Sequence, residues 1–410
     1  MQPFQLQIPT KVRFGEGVLE ALGKEASSLG TRALLVYGGG SITRNGVYNT
    51  ILHQLSAAGV SVTEFPGVKP NPVLSHAQEG ARIARGAGVD LVVAAGGGSV
   101  IDEAKAIAAG AYEGGELWDF YIRKRTVSGA LPILAIQTLP ASSSEVNAVS
   151  VITNEQTKEK FSVRSPHLCP RTAFLDPTVT TSIPREYTAY ACTDILSHMM
   201  EGYFTSSDPE AGVQDGMVEG VCRAVITATD RLMQDPSDLG ARSTVMWAGA
   251  LAWSGLMNAG VRGATIPNHM LEHPLSAYHD IAHGAGLSIV IPAWMKFARE
   301  RHGGRIVRFG REILARSGVM DAGVLDVGTA GSTGNADNSE VADANTVEAV
   351  ITALESWYRK IGTPVTFQEG GINAPEVDGY TAQALQLASL WGVPGYTKAD
   401  IREVYRLAGA

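Results

Sequence analysis

The sequence predicts an α/β amino-terminal domain built on a mostly parallel sheet, followed by an all-helical carboxyl-terminal domain. Three observations carry that expectation. Up to about residue 180, short β-rich runs alternate with helical stretches, which is the order of βαβ units. After Pro184 the chain turns to long Ala-, Met- and Leu-rich segments with few β-branched clusters, as packed helices require. A length of 410 residues at 45% hydrophobic content supplies enough apolar surface for two cores. The expected domains are therefore 1–183 and 184–410.

Strands are expected at Ala33–Tyr37 (ALLVY), Val60–Phe65 (VSVTEF), Leu91–Ala95 (LVVAA) and Ile133–Thr138 (ILAIQT), each a short apolar or β-branched run. Helices fill the gaps at Val47–Leu55, His76–Ala87 and Val100–Ala111, where apolar and small residues recur with helical period. Lys69–Pro72 reads KPNP; its two prolines exclude regular structure and make it a turn. In the second half Val218–Met233 and Ser243–Met257 read as stacked helices. Gly328–Asn345 is small, polar and without period, a surface loop or insertion. The tail Thr397–Leu407 opens on a capping threonine and closes the chain with an amphipathic helix.

Composition excludes several classes of partner. A net charge of −8 without a Lys/Arg run argues against nucleic acid and acidic membrane surfaces. No window is long and apolar enough to span a bilayer, and the first residues lack a signal-peptide core. Three dispersed cysteines, Cys169, Cys192 and Cys222, form no framework and fit reduced thiols in a cytoplasm. A small-molecule ligand is the expectation.

Two glycine loops and one polar loop follow predicted strands. Gly38, Gly39, Gly40 and Ser41 follow ALLVY; Gly96, Gly97, Gly98 and Ser99 follow LVVAA and lead straight into a helix. Glycine lets a ligand approach the backbone closely, and the helix start offers free N–H groups to an anion such as a pyrophosphate. A ligand spanning both strand ends has the dimensions of a dinucleotide at the carboxyl edge of a sheet, although neither loop carries the GxGxxG spacing. The third loop, Thr138–Asn147, offers the hydroxyls of Thr138, Ser142, Ser143 and Ser144 and leaves the same edge.

The helical half holds the densest chemistry. His269–His283 reads HMLEHPLSAYHDIAH and contains four of the nine histidines. His269 and His273, His279 and His283, and, upstream, Asp194 and His198 are pairs four apart, which places each pair on one helical face. Pro274 is expected to break or kink the helix between the first two pairs. One such pair arises readily by chance; three pairs among apolar neighbours, where an unpaired imidazole is costly, point to a divalent metal. Spacing does not choose the ligands among the six residues.

With these residues in view, the chain resembles the iron-containing alcohol dehydrogenase family, in its branch of butanol dehydrogenases and NADPH-dependent aldehyde reductases. The resemblance rests on GGGSVIDEAK at Gly96–Lys105, LPASSSEVN at Leu139–Asn147, LDP at Leu175–Pro177, DILSHMME at Asp194–Glu201 and HMLEHPLSAYHDIAHG at His269–Gly284. It implies a Rossmann-like first domain and a helical second one, the fold shared with dehydroquinate synthase. It implies Asp194, His198, His269 and His283 as ligands of one Fe(II) or Zn(II), with His273 as a proton-transfer residue beside them and His279 in an outer or surface position. It further implies cofactor contacts from Asp102, after the pyrophosphate loop, and from Lys160, near the ribose, together with a homodimer or larger homo-oligomer. The family's usual TGSE is replaced by SSSE at Ser142–Glu145, so that a glycine becomes Ser143.

The expected reaction is hydride transfer between a nicotinamide and a small aldehyde or primary alcohol. An alternative is a lyase or cyclase of the dehydroquinate synthase type that uses the nicotinamide transiently. Such a site needs cationic groups for a charged substrate, whereas Met199, Met200, Met257, Leu271 and Tyr278 flank the histidines here. NADP(H) is expected over NAD(H), because ALLVY runs into glycines with no acid to hold a free 2′-hydroxyl, and Ser41 and Arg44 suit a phosphate.

Overall fold

The computed structural model describes residues 1–208, 211–326 and 343–409. They form two compact units. One comprises Gln7–Pro184 and Pro236–Ser254; the other comprises Met1–Leu6, Arg185–Asp235 and Gly255–Ala410.

The first unit is built on a six-stranded parallel sheet. Its strands are β1 (Lys11–Phe14), β2 (Arg32–Tyr37), β3 (Ser61–Pro66), β4 (Leu91–Gly97), β5 (Ile133–Leu139) and β8 (Thr172–Leu175), in the order β1-β8-β5-β4-β2-β3. The inner strands are covered on both faces, which is why β2, β4 and β5 carry apolar runs, whereas the edge strands β1 and β3 are more polar and partly exposed. Leu35, Val93 and Ala95 pack with Ile51 and Leu55 in one cluster, and Leu34, Val92 and Ala94 pack with Ile101 and Ile107 in another. The helices Val47–Ala57, Leu74–Gly86 and Gly98–Glu113 cover the sheet, where the apolar period places them. A hairpin of β6 (Val149–Asn154) and β7 (Glu159–Arg164) completes the unit.

The sheet order reverses between β2 and β4. The chain runs outward from β2 to β3, returns to β4 on the far side of β2, and continues outward through β5. Such a reversal opens a crevice at the carboxyl ends of the two flanking strands.

Three expectations differ in detail. The LVVAA strand does not stop at Ala95: β4 continues through Gly96 and Gly97, with a register shift against β5 between them. A Cβ on Gly96 would collide with Val100, so this glycine serves strand–helix packing. The helix read within Ser243–Met257 spans Leu239–Ala252 and lies in the sheet unit, because its Met246 and Ala250 bury against Val146, Ala173 and Leu175.

The third difference concerns Pro274. The second unit contains the helices Arg185–Thr205, Gly212–Gln234, Pro267–His279, His283–Phe309, Ala344–Ile361, Val377–Trp391 and Lys398–Leu407. Pro274 lies inside an unbroken Pro267–His279. Its ring removes one backbone bond, and the Tyr405 hydroxyl donates to Leu271 O on that turn at 2.8 Å. The break comes instead at Asp280, whose left-handed conformation (φ 52°) ends the helix before a new one starts at His283. Aspartate tolerates that conformation better than most residues.

Thr397 forms a capping box with Asp400. Of the polar stretch 328–345, residues 328–342 lie outside the described residues, and Asp343 caps the helix that follows. No helix among the described residues is long and apolar enough to cross a membrane.

Candidate active site

In the helical unit, two helices and the start of a third bring the predicted ligands together. The aspartate helix, Arg185–Thr205, carries Asp194 and His198 one turn apart; the histidine helix, Pro267–His279, carries His269; His283 opens the next helix. Asp194 Oδ1 lies 3.3 Å from His198 Nε2, 3.4 Å from His269 Nε2 and 3.8 Å from His283 Nε2. The rings of His198 and His269 stack at 4.2 Å, and His283 stands 5.1 Å from His269. Close helix packing makes this possible, since a Cβ on Gly284 would collide with Tyr190 O.

Electrostatics at the cluster favour a cation. Burial works against an ionised Asp194, yet the imidazoles of His198, His269 and His283 hold its carboxyl well below the ordinary range. Burial and the neighbouring His269 hold His198 down to about 3. Burial also opposes a charged His269, but Glu201 and Asp194 on its two sides raise it to about 10. Asp194 Oδ1 and His269 Nε2 are buried without a hydrogen-bond partner. Two such atoms facing each other are costly unless something bridges them, and one carboxylate with three imidazoles suits a divalent ion of borderline softness. The residues present therefore fit a metal.

Two carboxylates that sequence reasoning missed stand behind the histidines. Glu201 Oε2 meets His269 Nδ1, and Glu272 Oε2 meets His283 Nδ1; both glutamates are fully buried. The chain carries only a partial signal: Glu201 and Glu272 each follow a predicted ligand by three residues, a helical neighbour's spacing, but the histidines they meet are 68 and 11 residues away. His273 lies beside the cluster, its ring 5.6 Å from that of His283 and 4.9 Å from the Trp391 indole at 88°. Trp391 also escaped sequence reasoning and had no local signal. His279 meets the Tyr380 hydroxyl instead.

In the sheet unit the polar loops leave the carboxyl ends of three adjacent strands, β2, β4 and β5. Gly38 lies under Val68 O, Gly39 has open space around it, and Gly40 adopts φ 91° to start the turn Ser41–Arg44. Ser41 and Arg44 are exposed. Gly97 caps the helix Gly98–Glu113 with no side-chain hydrogen bond to the helix start, which leaves its N–H groups for a ligand. A Cβ on Gly98 would collide with Ser142 Oγ, and that hydroxyl is buried without a partner. Glycine and an orphan hydroxyl at a bare helix start form a cradle that fits a dinucleotide.

The remaining predicted residues divide. Thr138 is buried at the end of β5. Ser99 Oγ donates to Pro70 O, and Lys160 Nζ donates to Asn71 Oδ1 at 3.0 Å, so both hold the KPNP turn against the loops. Asp102 uses its oxygens internally, accepting from Ser144 Oγ and from Val151 N at 3.1 Å. Buried Lys105 donates to Ser144, Asn147 and Val149 O, bracing the same loop. Ser143 takes φ 53°, and its hydroxyl donates to Gly249 O at 2.5 Å and accepts from Trp253 N at 2.7 Å.

Comparison with known proteins shows the family and the fold. Residues 9–177 match the family described as iron-containing alcohol dehydrogenase, and residues 188–409 match the C-terminal family of Fe-containing alcohol dehydrogenases. The chain is 36% identical over 408 residues to a Bacillus subtilis protein named probable NADH-dependent butanol dehydrogenase 1, covering 99% of each. It is 30% identical to the Escherichia coli NADPH-dependent aldehyde reductase YqhD, over 92% of this chain and 91% of that one. The crystal structure of a Thermotoga maritima NADH-dependent butanol dehydrogenase A matches with a TM-score of 0.89 at 37% identity, covering 100% of this chain and 99% of that one.

Proposed function

Because the chain belongs to the iron-containing alcohol dehydrogenase family, we propose that it reduces a small aldehyde to the primary alcohol, and the reverse, with NADP(H) as preferred cofactor and one divalent metal at Asp194, His198, His269 and His283. The balanced reaction takes one hydride from the reduced nicotinamide and one proton from solvent. The observation that carries the reading is the convergence of those four side chains around two buried, unpartnered atoms, Asp194 Oδ1 and His269 Nε2.

A bound divalent ion supplies positive charge that polarises a carbonyl, and a bound nicotinamide supplies the hydride. The protein's own groups do the rest. Gly39, the helix start at Gly98 and Ser142 Oγ hold the dinucleotide. His273, beside the cluster, passes the proton to the alcohol oxygen. Met199, Met200, Met270 and Leu271, next to the ligands in sequence, are buried and apolar, which favours a neutral aldehyde over the charged substrate of a dehydroquinate synthase-type lyase.

The 2′-phosphate preference rests on the Gly38–Ser41 loop, which has no carboxylate, and on Arg44, whose guanidinium reaches within 3.8 Å of the place a Gly40 Cβ would occupy. The NADH-dependent names of two relatives point the other way. Comparing kcat/KM for NADPH and NADH with butanal decides between them: equal or better efficiency with NADH ends the NADP(H) proposal, and no net consumption of either cofactor ends the reductase reading. Gly38→Asp shifts preference toward NADH by restoring the acid. Elemental analysis of protein purified without oxygen chooses between iron and zinc.

A further inference from the structure

An imidazole binds a cation only through a nitrogen that carries no proton, and the partner of the other nitrogen decides which one that is. In the helical unit two buried glutamates occupy that deciding position. Glu201 reaches from the aspartate helix to the histidine helix. Its Oε2 faces His269 Nδ1, while its Oε1 accepts from the backbone N–H groups of Asn268 and His269, the latter at 2.9 Å. Glu272 faces His283 Nδ1 with Oε2 and accepts from the Ser276 hydroxyl with Oε1. A Cβ on Gly286 would collide with Glu272 Oε1, so the neighbouring helix carries glycine where the carboxylate passes.

We propose that Glu201 and Glu272 are positioning residues that keep the proton of His269 and His283 on Nδ1 and turn Nε2 of each toward the cluster, with Glu201 the more demanding of the two. The inference rests on the metal reading above. The asymmetry follows from what each Oε1 meets. Backbone N–H groups only donate, so in Glu201→Gln the amide oxygen must stay on Asn268 and His269 and the NH2 group must face His269 Nδ1. That nitrogen is then forced to accept, and the ring proton moves to Nε2, the atom the ion needs. A serine hydroxyl donates or accepts. Glu272→Gln therefore turns its NH2 toward Ser276, whose proton can go to Ile281 O at 3.4 Å, and keeps an oxygen on His283 Nδ1–H.

The test uses the full chain, stripped of metal and reloaded with Zn(II), with affinity read by chelator competition and folding by Tm. Glu201→Gln weakens zinc binding by ~10- to 100-fold, the range for lost support behind a ligand, and Glu272→Gln by no more than a few-fold. Equal losses in the two variants, or none in Glu201→Gln, overturn the proposal while stoichiometric zinc in the wild type leaves the metal reading intact. A wild type that takes up no divalent ion overturns both. Should Glu201→Gln fail to fold, histidine 15N NMR of the zinc-loaded wild type decides: protons on Nδ1 of His269 and His283 are the expected result, and a His269 protonated on Nε2 overturns it.

Discussion

His269 and His279 share one helix yet meet different partners, the first an orphan carboxylate oxygen and a buried glutamate, the second a tyrosine hydroxyl. Removing the first therefore costs more. His269→Ala and His283→Ala are each expected to lower metal affinity by more than ~100-fold and to abolish turnover, whereas His279→Ala keeps its metal. Elemental analysis of the three variants checks this; a metal-free His279→Ala beside a loaded His283→Ala would sink the ligand assignment. His273 packs against Trp391 and His283, and a nitrogen of its ring lies within 4.8 Å of potential ligand atoms of His283 and Glu272. His273→Ala should retain metal and lose roughly 100-fold in kcat with a changed pH profile, the usual worth of a positioned proton donor. An unchanged profile removes it from the mechanism.

At the scale of elements, the loop Ser142–Asn147 is held from two sides, by Lys105 and Asp102 within the sheet and by Ser143 on the helix Leu239–Ala252. Ser143 combines a left-handed backbone with two hydrogen bonds from one hydroxyl. Ser143→Ala keeps the backbone strain and loses both bonds, so it should cost about 2 kcal/mol at ~1 kcal/mol per bond. Ser143→Gly should cost less, because glycine adopts that conformation freely. Chemical denaturation of both variants tests the order, and Ala more stable than Gly would contradict it. The sequence made the centre of the sheet legible because β2, β4 and β5 carry apolar runs, and made the ligands legible because helical spacing of Asp194–His198 and the histidine cluster is unusual. It concealed β1 and β8, four residues each, too short for a periodic signal. The Ser143 tie was equally hidden, since its partners lie 106 and 110 residues away. The break lies at Asp280 rather than Pro274: a proline's local penalty says nothing of the packing that buries its helix from Pro267 to Ser276.

For the molecule as a whole, one buried acid sets a pH dependence of stability. Glu103 is fully buried, and burial pushes its carboxyl up to about 7 despite the His76 ring beside it. A carboxyl raised on folding holds its proton more tightly in the native state. Its favourable contribution is present below the unfolded value of 4.5 and fades as pH rises through about 7, by ~3 kcal/mol in all. Wild type should thus lose stability relative to Glu103→Gln between pH 5 and pH 8, read as a difference in Tm; a constant difference refutes it. A second global property follows from the segment Pro236–Ser254, which belongs to the sheet unit although the chain leaves that unit at Pro184. During translation the ribosome must extend the chain from 184 to 254, a difference of 70 residues, before Met246 and Ala250 can cover Val146, Ala173 and Leu175. At about 5–20 residues per second that is a wait of roughly 4–14 s, during which the nascent sheet presents an uncovered apolar patch to chaperones and to neighbouring chains. A gene fragment cut at the obvious boundary after Pro184 carries the same exposed patch permanently, so transplanting the nucleotide half into another protein requires the later helix to travel with it.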